Sequence, residues 1–200
     1  GYGNDMRTAD RVLDAAMMAF GERGYDATSL DDLAAGLGIR KQTILYHYPS
    51  KERLLDAAVD QAVAELTEVL WAVVHSSEDG WPRVEAMVRG VFRLAMRRPE
   101  LLGLLRELTR LGPPALNRAT DALEPLIKSA TEWLDEEMRQ GRVRESDPRL
   151  LAFSVYSTVM GVATEIEVLR AVGVEPTLRE AVLRRRELLR FLRSALQPAT

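Results

Sequence analysis

The sequence predicts an all-α fold, and three observations carry that expectation. Apolar residues recur at three- and four-residue spacing along most of the 200 residues. No stretch alternates with the period of two that a half-buried strand shows. Gly, Pro, Ser and Asp punctuate the chain at intervals of helix length. Together these divide it into about nine helices. We read a three-helix N-terminal domain over residues 1–52 and a larger helical domain over residues 53–200.

The first helix is expected from about Met6 to Arg23, with Ala9, Leu13, Ala16, Met17 and Phe20 as its buried stripe and Gly24 as its terminator. Residues 1–5, ahead of Met6, are given no role. The next segment, SLDDLAAGLGIRKQTILYHYPSK over residues 29–51, is the most informative of the chain. Leu30, Leu33, Ala34 and Leu37 form one apolar helical face, and Ser29 followed by Asp32 has the form of a capping box. Gly38 supplies the residue free of Cβ strain where that helix must end and the chain must turn. From Arg40 to Tyr48 a second short helix carries Ile44 and Tyr48 inward and leaves Lys41, Gln42, Thr43 and Tyr46 outward. Two short helices joined by a tight turn make a helix-turn-helix, and the second has residue types that read DNA.

Ser50 is the expected N-cap of a fourth helix that runs to about His75, with Leu54 and Leu55 packing back on the first three. Ser76 to Gly80 is a turn cluster, and Pro82 suits the start of a fifth helix that ends at Arg97-Arg98-Pro99. A sixth helix carries Leu101, Leu102, Leu104, Leu105 and Leu108 and is broken at Gly112-Pro113-Pro114. The seventh runs to Gly141, with Pro125 kinking it or marking its true start. Asp147-Pro148 opens an eighth helix to about Val172, and Pro176 opens a ninth to about Leu196.

Composition narrows the function classes. A hydrophobic fraction of 46% and a charged fraction of 28% are those of an ordinary soluble globular protein. With no cysteine there is no disulfide framework, thiolate nucleophile or Cys-based zinc site, which suits a reducing cytoplasm. The longest uncharged run, residues 150–164, is too short and too polar to span a bilayer. Two histidines and no recognisable carboxylate or serine spacing leave no catalytic or metal-ligating residues to assign, so neither enzymatic activity nor a cofactor is expected. The net charge of −3 and the seven basic against eight acidic residues of 1–53 do not favour nonspecific nucleic-acid binding. The local distribution does, because no acid stands between Arg40 and Lys51.

GIRKQTILYHYPSKERLL, preceded by a helix ending FGERGYDATSL, resembles the N-terminal domain of the tetracycline-repressor (TetR) family of transcriptional regulators. The resemblance is dense over residues 11–55, about a quarter of the chain. It implies a homodimeric repressor in the cytoplasm that binds an inverted-repeat operator and is released by a small apolar or aromatic effector. Two departures stand out: Leu45 where the family most often has tyrosine, and Arg40 in place of a serine N-cap.

On this reading Gln42 pairs bidentately with adenine, Lys41 donates to guanine, and Thr43 or Tyr46 touches a thymine methyl. Ser29, His47 and Lys51 are placed for phosphates, and Arg40 adds a charge near the backbone. The resemblance further implies an effector pocket in the middle helices, with candidates Met87, Phe92, Met96, Leu105, Leu108, Trp133, Tyr156 and Met160. It also implies a dimer seam through the last two helices, with candidates Phe153, Val159, Ala163, Leu178, Val182 and Leu189. The alternative is an all-α small-molecule-binding protein or enzyme that keeps the helix-turn-helix only as structure.

Overall fold

A computed structural model of the chain describes residues 2–76 and 79–198, so Ser77 and Glu78 of the expected turn cluster lie outside the described residues. The described residues contain no strand and ten helices: α1 (Tyr2–Arg23), α2 (Leu30–Leu37), α3 (Lys41–His47), α4 (Lys51–Val74), α5 (Trp81–Arg97), α6 (Pro99–Leu111), α7 (Ala115–Arg139), α8 (Pro148–Thr164), α9 (Ile166–Ala171) and α10 (Leu178–Leu196). None of them is long and apolar enough to cross a membrane. The chain forms two compact units, one of residues 1–65 and 98–122, the other of residues 66–97 and 123–200.

The first unit is built on α1. Val12, Ala16, Met17 and Phe20 recur on one helical face and are fully buried. Burying a side chain the size of Met17 or Phe20 contributes about 1.5–3 kcal/mol. Ala9 and Leu13, expected in the same stripe, are only half-buried.

Against α1 lies α6, whose Leu101, Leu102, Leu104 and Leu108 are all buried. The two helices approach to backbone contact. A Cβ on Gly21 would stand 2.6 Å from the Glu100 carbonyl oxygen, and one on Gly103 would stand 2.9 Å from the Gly21 carbonyl oxygen. This packing draws residues 98–122 into the unit that holds the helix-turn-helix. The compact units therefore do not divide at 52/53.

Ion pairs tie the same unit together. Arg98 bonds Glu65 at 3.0 Å and Glu100 at 2.5 Å, and Arg118 bonds Asp60 through Nε at 2.7 Å and Nη2 at 2.8 Å. The α4 N-terminus is capped as its sequence predicts, since Ser50 Oγ accepts the Arg53 N–H at 3.0 Å. Leu54 and Leu55 then enter the core.

In the second unit α5, α8 and α10 pack on one another. The eighth helix stops at Thr164 rather than near Val172, because Glu165 leaves helical geometry at φ −78°, ψ 53°. Thr164 Oγ1 donates back to the Met160 carbonyl at 2.6 Å, a side-chain bond that competes with the helix ladder. A separate short helix, α9, follows, which raises the count from nine to ten. Pro125 lies inside α7 without stopping it, although its missing N–H leaves the Asp121 carbonyl without its helical donor.

Candidate nucleic-acid interface

The helix-turn-helix is assembled from a helix capped at both ends followed by one that is not. Ser29 is the N-cap of α2: its Oγ accepts the Asp32 N–H at 3.0 Å, and Asp32 Oδ2 accepts the Ser29 N–H at 3.3 Å. Hydrogen bonding of the Asp32 carboxylate to the Ser29 side chain, and next to the Ser29 N–H, holds it below the usual carboxylate range. Gly38 closes the helix at φ 65°, ψ 34°, a left-handed conformation that favours glycine, and its N–H bonds the Ala34 and Ala35 carbonyls.

The N-cap of α3 is Arg40, whose side chain makes no capping bond. Ile44 anchors α3 as its one buried residue. Tyr48, at the C-cap, is half-buried and donates its hydroxyl to the Ala9 carbonyl at 3.1 Å.

With one face anchored, the rest of α3 looks outward. Arg40, Lys41 and Gln42 are exposed, Thr43 is half-buried, and Tyr46 is 74% exposed. Arg40, Gln42, Thr43, Tyr46 and His47 line one open recess of about 540 Å³. Five of the eight predicted DNA contacts thus share a surface.

The other three lie off its wall. Lys41 Nζ reaches Asp31 on α2 at 3.3 Å, an exposed pair of the kind worth little to stability. Ser29 is exposed at its cap. Lys51 is more tightly held than the sequence suggests: its ammonium donates to the Tyr25 carbonyl at 2.6 Å and sits 4.1 Å from the centre of the Tyr25 ring.

Two residues that sequence reasoning passed over, Asp5 and Thr8 of α1, complete the recess, and Asp5 Oδ1 lies 3.4 Å from His47 Nε2. No spacing rule pointed to them. Asp5 arrives because α1 begins a turn earlier than its apolar stripe indicates, and Thr8 lies within the helix as expected.

The eight effector-pocket candidates are not brought together. Leu105 and Leu108 are core residues of the first unit, on α6. In the second unit Phe92 and Met160 are buried, Met87 is half-buried, and Met96 and Tyr156 are exposed. Trp133 alone among them lines a cleft of about 260 Å³.

The seam candidates also split. Phe153, Leu178 and Val182 are exposed, at 65%, 66% and 40%, while Leu189 is half-buried. Val159 and Ala163 are buried within their own unit, where they fill the core and present no surface to a partner.

A buried-anchor helix that follows a capped helix and a left-handed glycine turn defines the helix-turn-helix class. Residues 12–58 match the family described as bacterial regulatory proteins, tetR family. A stretch of 51 residues is 39% identical to IcaR of Staphylococcus epidermidis, the HTH-type negative transcriptional regulator of the biofilm operon icaADBC. That stretch covers 26% of this chain and 28% of IcaR, so the chain matches little more than a quarter of that relative's length.

The fold as a whole is similar to that of a TetR-family transcriptional regulator from Pectobacterium atrosepticum, with 28% identity, TM-score 0.59, and 98% of this chain and 97% of that one covered. It is also similar to AibR in complex with isovaleryl coenzyme A and operator DNA, with 22% identity, TM-score 0.76, and 96% and 99% covered. Residues 12–58 of this chain thus form a domain of the TetR family's type.

Proposed function

We propose that this chain is a homodimeric transcriptional repressor that binds an inverted-repeat operator and is released by a hydrophobic small-molecule effector. The observation that carries this reading is α3: one residue, Ile44, holds it down, and Arg40, Gln42, Thr43 and Tyr46 stand together on its outer surface. A merely structural helix has no use for that set. Gln42 offers a donor and an acceptor to adenine, Arg40 offers charge to phosphates, and His47 offers them a ring N–H.

The repressor sense is supported by IcaR, a negative regulator, and the pairing of effector and operator by AibR, whose structure holds both. Such a protein works where the chromosome is, in the cytoplasm.

The dimer reading rests on an apolar surface of α8 and α10. Phe153, Tyr156, Leu178, Val182 and Leu183 are all at least 40% exposed, and contiguous exposed apolar surface marks an interaction site. A second copy is the occupant we assign, because a lone helix-turn-helix reads only a half-site and a dimer joins two such readings.

Mobility shift of duplex DNA selected from a random pool tests the whole reading, with sedimentation of the same preparation. Recovered sites should be inverted repeats bound by a dimer. Phe153→Glu combined with Val182→Lys should give folded monomers that bind full sites far more weakly. Failure to enrich any duplex would leave the all-α ligand-binding alternative standing.

A further inference from the structure

The second unit contains a cleft that the helix-turn-helix does not use. Its walls come from three helix ends: Trp81 at the start of α5, Trp133 and Glu137 near the end of α7, and Arg193 near the end of α10, with Arg142 on the loop after α7. The volume of about 260 Å³ lies just under the range for drug-sized ligands, so the occupant is small.

Both indoles are committed at their edges. Trp81 Nε1 donates to Glu85 at 2.8 Å, and Trp133 Nε1 donates to Asp79 at 2.9 Å. Their N–H groups are therefore not available to a ligand, and what the rings offer is apolar surface.

Charge decides the rest. Glu137 is 2% exposed, but both of its oxygens are taken by Arg142, through Nε and Nη2 at 2.8 Å each. That pair is internally neutral. Among the described residues Arg193 has no carboxylate partner, and its guanidinium lies 5.4 Å from the centre of the Trp81 ring. The Arg83 guanidinium stands over Trp133 in the same way, at 5.7 Å. A cationic ligand would meet guanidinium groups already on both indoles. An anion would meet the forked donors of Arg193, the geometry that matches a carboxylate.

The rim is built in advance. Arg142 and Val143 N–H groups both bond the Glu137 carbonyl, at 2.9 and 3.3 Å. Arg144 bonds the Leu196 carbonyl through its N–H at 2.9 Å and the Ala195 carbonyl through Nε at 2.7 Å. A rim fixed by such bonds lowers the ordering cost of binding.

We propose that this cleft binds a small aromatic carboxylate, its anion on Arg193 and its ring against Trp81 and Trp133. The inference rests on the effector reading and gives that effector a chemical class.

The test uses the full chain with Trp71→Phe, so that tryptophan fluorescence reports Trp81 and Trp133 alone. The probes are sodium benzoate and benzamide, which share shape and differ in charge. Benzoate should give a saturable change confirmed by calorimetry, and benzamide should bind at least about tenfold more weakly, the scale of a lost charge-assisted hydrogen bond. Arg193→Ala should weaken benzoate by a similar factor, and Arg193→Lys should fall between; Arg193 is exposed, so unchanged melting should accompany both.

No saturable response to benzoate, equal binding of benzamide, or wild-type affinity in Arg193→Ala overturns the proposal. Operator binding is measured without ligand on the same protein. DNA binding without a benzoate response sinks this inference alone, whereas a benzoate response without DNA binding sinks the regulator reading and leaves the cleft.

Discussion

The two short helices of the helix-turn-helix are neighbours of nearly equal length, yet they are stabilised in opposite ways. α2 carries its own start and stop: a reciprocal capping box at Ser29 and Asp32 and a left-handed glycine at 38. α3 has neither a capping side chain at Arg40 nor a glycine after its last residue. Its position comes from outside, through the buried Ile44 side chain and the hydroxyl that Tyr48 sends to the Ala9 carbonyl. The supporting helix is specified locally, whereas the outward-facing one is specified by what it rests on. That division leaves Lys41, Gln42 and Tyr46 exposed for contact, so the outer sequence of α3 can change without the helix losing its seat.

The comparison breaks most visibly at the anchor. Ile44→Ala should cost about 2–5 kcal/mol in urea denaturation, because a fully buried side chain is lost with no cap to compensate. A loss below 1 kcal/mol would mean that α3 is held by something other than its anchor.

On the outer face the expectation reverses. Gln42→Ala should leave the melting temperature unchanged while costing about 1–3 kcal/mol on the selected operator and relaxing preference at one base pair. Equal losses on all base variants would make Gln42 a backbone contact instead.

At the supporting helix, Ser29→Ala should cost about 1 kcal/mol of stability. Its partner gives a pH signature. The Asp32 carboxyl is held low in the folded state, so its contribution is present above the unfolded carboxyl value and is lost as pH falls through the lower, folded one. The stability gap between wild type and Asp32→Asn should therefore be flat above about pH 5 and close below about pH 4.

The smallest effect sharpens the contrast. Arg40→Ser should give α3 the cap it lacks and add about 0.5 kcal/mol to stability. The lost charge should also flatten the dependence of log affinity on log salt by about one unit. Stability that fails to rise would show that α3 gains nothing from local capping.

Much of this was legible because short-range rules governed it. The Ser29–Asp32 box, the Gly38 turn, the inward Ile44 and the Ser50 cap each depend on residues within one helical turn. What escaped depended on distant partners. α8 is apolar on two sides: Leu151, Val159, Met160 and Ala163 face the core while Leu150, Phe153 and Tyr156 stay exposed. Periodicity alone could not say which side was which, and the expected seam mixed the two. Leu105 and Leu108 enter the expected pocket through the family resemblance alone, since their spacing fits any buried helix, and only the contact of α6 with α1 shows which core they fill. Asp5 reaches the recess through the length of α1, which no local signal marked.

The crossing of α1 and α6 has a bearing on how such a chain can change over time. A Cβ on Gly21 would strike the Glu100 carbonyl oxygen and the Leu104 nitrogen of α6, one on Gly103 would strike the Gly21 backbone of α1, and these backbone atoms cannot rotate aside. Neither position can accept a larger residue first and wait for its counterpart to adapt, because enlarging either one forces the helices apart. The pair is inherited as a unit. Randomising both codons together should return glycine at each, while the exposed face of α3 tolerates wide variation.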